Sequence, residues 1–170
     1  GYAEPTAIQS AVIPLLLAGQ DVIAQAQTGT GKTAAFALPL IQNLQGGKKQ
    51  VQGLVLAPTR ELAIQVASAL HGYGRHSNVR VLAVYGGQPY ERQIRRLQRG
   101  VDVVVGTPGR LLDLIRQSAL DLSAVRTVVL DEADEMLSMG FIEDIELILG
   151  ETPDVRQTAL FSATLPAEIR

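Results

Sequence analysis

Short apolar, β-branched runs recur along the chain, at Asp21–Ala26, Gly53–Ala57, Val79–Val84, Asp102–Gly106, Thr127–Leu130 and Thr158–Phe161. Their length and composition predict buried strands of a parallel sheet. Between them lie longer stretches with apolar residues at helical spacing, such as Ile64, Ala67 and Leu70–His71, or Leu111, Leu112 and Ile115. Alternating strands and helices predict a layered α/β domain with a mostly parallel sheet. No internal repeat, low-complexity tract or Pro/Gly-rich linker divides the sequence. Residues 1–170 are therefore expected to form one domain, at roughly 100–200 residues per domain. In such sheets ligands bind beyond the carboxyl ends of the strands.

Composition narrows the chemistry. The chain has no cysteine, which excludes disulfides and cysteine-ligated metal centres, and its two histidines, His71 and His76, make a poor metal site. No apolar run approaches the ~18 residues of a membrane helix and no signal peptide is visible, so a cytoplasmic, membrane-free protein is expected. The net charge of −2 argues mildly against a nucleic-acid partner, but it hides an asymmetry. Residues 1–59 hold three Lys and two acids, residues 60–116 nine Arg and four acids, and residues 117–170 three Arg and eleven acids. A basic middle and an acidic end suggest two different partners.

The first run leads into Ala26-Gln27-Thr28-Gly29-Thr30-Gly31-Lys32-Thr33, and a helix-like stretch, Ala34–Leu44, follows. Strand, Gly-rich loop and helix with a terminal Gly-Lys-Thr form a phosphate cradle. Glycines let backbone N–H groups approach phosphate oxygens, and the helix N-terminus adds its positive end. Lys32 is placed to reach the β- and γ-phosphates and the Thr33 hydroxyl to ligate Mg²⁺. Ala26 stands where the usual pattern has Gly.

The run Thr127–Leu130 leads into Asp131-Glu132-Ala133-Asp134. A buried strand ending in Asp-Glu puts carboxylates at the ligand edge. Asp131 is assigned to Mg²⁺, partly through water, and Glu132 to the water that attacks the γ-phosphate. An acidic helix start is the plainer account of such residues, and for Glu135 it is the preferred one.

With Pro5-Thr6-Ala7-Ile8-Gln9, Pro58-Thr59-Arg60-Glu61-Leu62-Ala63, Gly86-Gly87, Thr107-Pro108-Gly109-Arg110 and Ser162-Ala163-Thr164 added in this order, the chain resembles the DEAD-box family of ATP-dependent RNA helicases over nearly its whole length. The resemblance implies a RecA-like P-loop fold with helices on both faces of the sheet. It is to the first of the family's two RecA-like domains; motifs of the second do not follow Arg170. Tyr2 stands where the family usually has Phe, and Ala7 where it often has Pro.

The resemblance implies ATP and Mg²⁺ as cofactors and adds Tyr2, Thr6 and Gln9 to the nucleotide site, with Gln9 reading adenine. Thr6 and Gln9 also match a helix-capping box, and both readings stand. It assigns Pro58, Thr59, Arg60, Gly86, Gly87, Thr107, Pro108, Gly109 and Arg110 to the RNA sugar–phosphate backbone, contacts that position a strand without specifying its sequence. Thr107 is expected to be an N-cap, with Pro108 at the first helical position; Arg60 has an alternative as an internal ion-pair residue. Asp134, Ser162 and Thr164 are assigned to coupling between the ATP state and RNA unwinding. Arg92, Arg95, Arg96 and Arg99 share one helical face, read as a plain solvated basic face because no family motif lies there.

The expected function is the ATP-binding part of an RNA helicase, working with RNA and the second RecA-like domain. By itself the domain is expected to be monomeric, to bind nucleotide, and to show negligible ATPase and no unwinding. The alternative is a non-catalytic, ATP-switched RNA- or partner-binding module.

Overall fold

A computed structural model describes residues 4–46 and 48–169. The element order is α1 (Ala7–Leu17), β1 (Val22–Gln25), α2 (Lys32–Gln42), β2 (Gly53–Leu56), α3 (Arg60–Tyr73), β3 (Val81–Val84), α4 (Tyr90–Arg99), β4 (Val103–Gly106), α5 (Pro108–Arg116), β5 (Thr127–Leu130), α6 (Ala133–Ser138), α7 (Ile142–Gly150) and β6 (Gln157–Ser162). All six expected strands are present. The strands form one sheet in the order β1-β6-β5-β2-β4-β3, every neighbouring pair parallel.

Strand alternation sorts the apolar residues between two layers. Val55, Val103, Val105, Val129 and Phe161 face α1, α2 and α3, where they pack with Val12, Phe36 and Val66. Leu54, Leu56, Val104, Val128 and Leu130 face the other way, towards Leu111 and Leu114 of α5, Met136 of α6 and Ile148 of α7. Both faces being covered explains why the central strands read as continuous apolar runs rather than as an alternation. Phe36 and Phe161 meet with ring centroids 5.3 Å apart and fasten α2 to β6 directly behind the Gly-rich loop. At Gly106 a Cβ would lie 2.5 Å from Val84 and 2.8 Å from Leu111, so the close seating of α5 on the β4 end requires glycine.

The sheet order has a functional consequence. Beyond the carboxyl ends of β1, β6 and β5 lie the Gly-rich loop, Ser162-Ala163-Thr164 and Asp131–Asp134. Beyond β2, β4 and β3 lie Pro58-Thr59-Arg60, Thr107–Arg110 and Gly86-Gly87. The first of these motifs and the last two along the chain are thus gathered in one half of the edge, and the three between them in the other.

Candidate functional site

The nucleotide half is built on β1. Ala26 continues the ladder, its N–H donating to Ser162 O at 2.9 Å. The loop then turns through Gly29 (φ +85°) and Gly31 (φ +83°), a conformation costly to any side chain. Gly31 is the N-cap of α2, so Lys32 and Thr33 occupy the first helical turn. The helix therefore starts two residues before the expected Ala34. The Thr30 hydroxyl donates to Gln27 O at 2.6 Å and holds the loop in shape.

Thr6 and Gln9 form the expected capping box: Gln9 N–H donates to Thr6 Oγ1 at 3.3 Å, and Thr6 N–H to Gln9 Oε1 at 3.0 Å. Gln9 does more than cap. Its Nε2 donates to Gly31 O at 3.1 Å, clamping the start of α1 to the loop, and the residue is only 3 % exposed. A Cβ on Gly31 would fall 2.6 Å from that Nε2. Beside this clamp opens a cavity of 730 Å³ lined by Thr6, Ile8, Ala11, Gln27, Thr30 and Ala163 among others. Gln25, a residue the motifs do not include, also lines it and donates from Nε2 to Ala163 O at 3.0 Å. Tyr2 lies outside the described residues.

Lys32 is buried and projects towards the β5 end. Its Nζ lies 2.9 Å from Asp131 Oδ1 and 3.9 Å from Glu132 Oε2. Asp131 is fully buried, and neither carboxylate oxygen has a partner in full hydrogen-bonding geometry. Burial pushes its pKa up, opposed by Lys32. Burial likewise raises Glu132, again against Lys32, with Asp131 adding to the rise. Glu132 stands at φ +51°, ψ +54°, a left-handed conformation that a non-glycine residue holds only where its surroundings enforce it.

Hydrogen bonds link the β5 and β6 ends. Asp134 N–H donates to Ser162 Oγ at 3.1 Å, while Thr164 donates from N at 3.1 Å and from Oγ1 at 3.0 Å to Asp134 Oδ2. Burial pushes the Asp134 carboxyl up, but the Ser162 and Thr164 hydroxyls and the N–H groups of Thr164 and Glu135 outweigh it. The net shift is downward.

On the other half, Thr59 caps α3 by accepting from Leu62 N–H at 3.2 Å. Arg60 is exposed, sits 5.1 Å above the Tyr85 ring and, among the described residues, is in no ion pair. Its alternative as an ion-pair residue therefore has no support. Thr107 occupies the N-cap position of α5 with Pro108 next to it, but its hydroxyl makes no capping bond. The expected cap is thus positional only.

Arg110 does not extend into the open edge. It is 8 % exposed, donates from one nitrogen to Gln88 O at 2.9 Å and to Gln93 Oε1 at 3.0 Å, and stacks 4.0 Å from the Tyr90 ring centroid. Tyr90 in turn donates to Asp113 at 2.8 Å. The guanidinium supports the Gly86-Gly87 turn from behind. Gln88, Tyr90 and Gln93 are neighbours of the candidate site that the motifs did not disclose; their only sequence signal is closeness to the glycine pair.

The model of the family described as DEAD/DEAH box helicase matches residues 6–170. The chain belongs to this family. It is 59% identical over 170 residues to the DEAD-box ATP-dependent RNA helicase CshA of Bacillus cereus and 58% identical to the RNA helicase CrhR of Synechocystis, in each case over 100% of this chain. Those 170 residues are 32% of the first relative and 34% of the second, so the chain spans about a third of the curated relatives it matches. Among solved structures, it resembles a hypothetical ATP-dependent RNA helicase from Sulfolobus tokodaii, with TM-score 0.92, 49% identity, and coverage of 100% of this chain and 49% of that one. It also resembles a DEAD box protein from Methanococcus jannaschii, with TM-score 0.93, 47% identity, and coverage of 97% and 45%. As a DEAD-box domain the chain has a RecA-like fold. Among the described residues no helix is long and apolar enough to cross a membrane.

Proposed function

We propose that this DEAD-box domain binds and positions ATP and single-stranded RNA on one sheet edge, and that the protein carrying it is an ATP-dependent RNA helicase. The single observation that carries this reading is the placement of Lys32 between the Gly-rich loop and the Asp131–Glu132 pair, with the RNA-type segments on the adjoining strands.

Phosphates would meet the N–H groups at the start of α2, where the helix end favours anions. Lys32 would turn from Asp131 to the β- and γ-phosphates, leaving a buried, unsatisfied carboxylate. That carboxylate and the Thr33 hydroxyl suit a divalent cation, partly through water; Mg²⁺ held there would neutralise phosphate charge. Glu132, with its pKa raised, is placed to orient and deprotonate the attacking water. The water oxygen bonds to the γ-phosphorus as the bond to the β-bridging oxygen breaks, giving ADP and phosphate. Adenine would enter the 730 Å³ cavity, beside the Ile8 and Ala11 side chains. Gln9 keeps one N–H and one lone pair beyond its internal bonds, enough to read the base edge.

Thr59, Arg60, Gly86, Gly87, Thr107 and Gly109 would hold the sugar–phosphate backbone, with Pro58 and Pro108 shaping the turns and Arg110 supporting them. A second RecA-like domain of the same polypeptide would complete both sites. The chain alone is expected to bind ATP with negligible turnover, with arginine fingers, worth ~10³–10⁵ in rate in related hydrolases, supplied by that second domain. The test is RNA-stimulated ATPase of the protein carrying this chain, with Glu132→Gln as control. The reading expects stimulation by RNA, and loss of turnover with ATP binding kept in the variant. Turnover indifferent to RNA, or ATP binding that survives Lys32→Ala unchanged, would overturn it.

A further inference from the structure

The basic face of α4 is not an isolated solvated stripe. Helix α4 starts three residues after Gly87 and runs away from the ligand edge, back along the β3 side of the sheet. Arg92, Arg95, Arg96 and Arg99 are all exposed along it. Arg96 is anchored by a bond to Val81 O at 3.2 Å. At the far end the strip continues. Around Gly100, which closes α4, Arg80 and Lys49 crowd so closely that a Cβ would meet Arg80 Nη1 at 2.5 Å and Lys49 Cγ at 3.3 Å. Lys48 joins them, its carbonyl accepting from Arg80 Nη2.

The charge of this strip is only partly compensated. Among the described residues only Arg80 of this group is in an ion pair, with Asp102 at 2.9 Å. Glu91 on α4, Asp113 bonded to Tyr90 at the head of the helix, and Asp121, which shares a small cavity with Lys49, are nearby acids as well. Among the described residues of the strip the aromatic ring, Tyr90 at its head, is committed to Arg110 and Asp113. Single-stranded RNA is usually gripped with stacking platforms, whereas a duplex hides its bases and presents phosphates. We infer that the strip from Arg92 to Lys49 and Lys48 is a second backbone-binding surface, for duplex RNA flanking the strand held at Gly86-Gly87.

This inference rests on the RNA reading above, and the experiment separates the two. Binding is measured against salt in the protein carrying this chain, for a single-stranded oligonucleotide and for the same strand with a flanking duplex. The variants are Arg92→Gln/Arg95→Gln/Arg99→Gln and the corresponding triple Lys variant; Arg96 is left in place because it anchors α4. With duplex-flanked RNA, the Gln variant is expected to bind at least ~10-fold more weakly at low salt, with a salt slope shallower by about 2–3, at about 0.9 per phosphate. Binding of the single strand is expected to be unchanged, and the Lys variant to keep most of the affinity. Unchanged binding of the flanked duplex by the Gln variant, as for a strip that docks an acidic protein, would overturn the surface alone. Equal loss on both oligonucleotides would overturn the duplex assignment. If the unsubstituted protein bound neither, the RNA reading itself would fall.

Discussion

Lys32 and Asp131 form an ion pair at 2.9 Å with both side chains buried, across the gap between the Gly-rich loop and the β5 end. Buried pairs contribute little net stability, but removing one partner strands the other, at a cost of about 3–5 kcal/mol. Lys32→Met is therefore expected to destabilise the chain by about that amount, and Lys32→Met/Asp131→Asn by clearly less than Lys32→Met alone. Urea unfolding of the two single variants and the double variant measures the coupling. Additive effects would show that Asp131 does not depend on Lys32.

Glu132 adopts φ +51° at the junction of β5 and α6. Holding a non-glycine residue there costs of order 1–3 kcal/mol, and asparagine tolerates the conformation better. Glu132→Asn is expected to stabilise the fold by about 1 kcal/mol while abolishing ATP turnover in the protein that carries the chain. A variant less stable than the parent would mean that the carboxylate contributes more than its backbone strain costs.

Gln9 joins the capping box to Gly31 O, 22 residues along the chain. Gln9→Ala should lower stability by about 1 kcal/mol through the lost reciprocal bond and should loosen the loop. If Gln9 also reads the base, ATP binding falls more than GTP binding. Equal loss for both nucleotides in a competition titration would restrict Gln9 to the clamp.

These residues show what the sequence could and could not disclose. The strands were legible because short β-branched runs buried on both faces have few alternatives, and the phosphate loop because its glycines are needed for φ above +80°. The start of α2 was missed because Lys32 and Thr33 are polar residues inside the first turn, where hydrophobic periodicity is silent. The lateral order of strands was not legible either. It places β6 between β1 and β5, and so unites Lys32 with Asp131, through packing that no local pattern records. Arg110 was identifiable as a cation at a helix start, but its direction depends on Gln88 and Gln93, which lie 22 and 17 residues upstream.

Asp134 carries a proton-linked part of the stability. Its pKa is lowered in the fold, so the folded state binds fewer protons than the unfolded state as pH falls. The contribution is complete above the unfolded value near ~4 and is lost as pH drops through the lower folded value. Asp134→Asn is thus expected to be less stable than the parent at pH 7, with the gap closing below about pH 4. Chemical denaturation from pH 7 to pH 2 measures it, and a gap constant across that range would detach Asp134 from the Ser162–Thr164 link.

Arg60 and Arg110 should affect RNA binding in different ways. Arg60 is exposed over Tyr85, so its guanidinium is available to a phosphate; Arg110 is enclosed by Gln88, Gln93 and Tyr90. A direct phosphate contact contributes to the salt dependence of binding, at about 0.7 in log–log slope for a single strand. A supporting residue acts through the shape of the glycine turn and leaves that slope unchanged. Arg60→Gln is expected to weaken single-strand binding and flatten its salt dependence by about 0.7. Arg110→Lys keeps the charge but cannot reproduce the planar stack on Tyr90 together with the Gln88 and Gln93 bonds. It should weaken binding with an unaltered slope and with ATP affinity intact. Gln93→Leu, which changes no charge, should behave as Arg110→Lys does. If Gln93→Leu bound RNA normally while an Arg110→Gln variant lost about 0.7 in slope, Arg110 would be a phosphate contact after all, reached by a side-chain movement on binding.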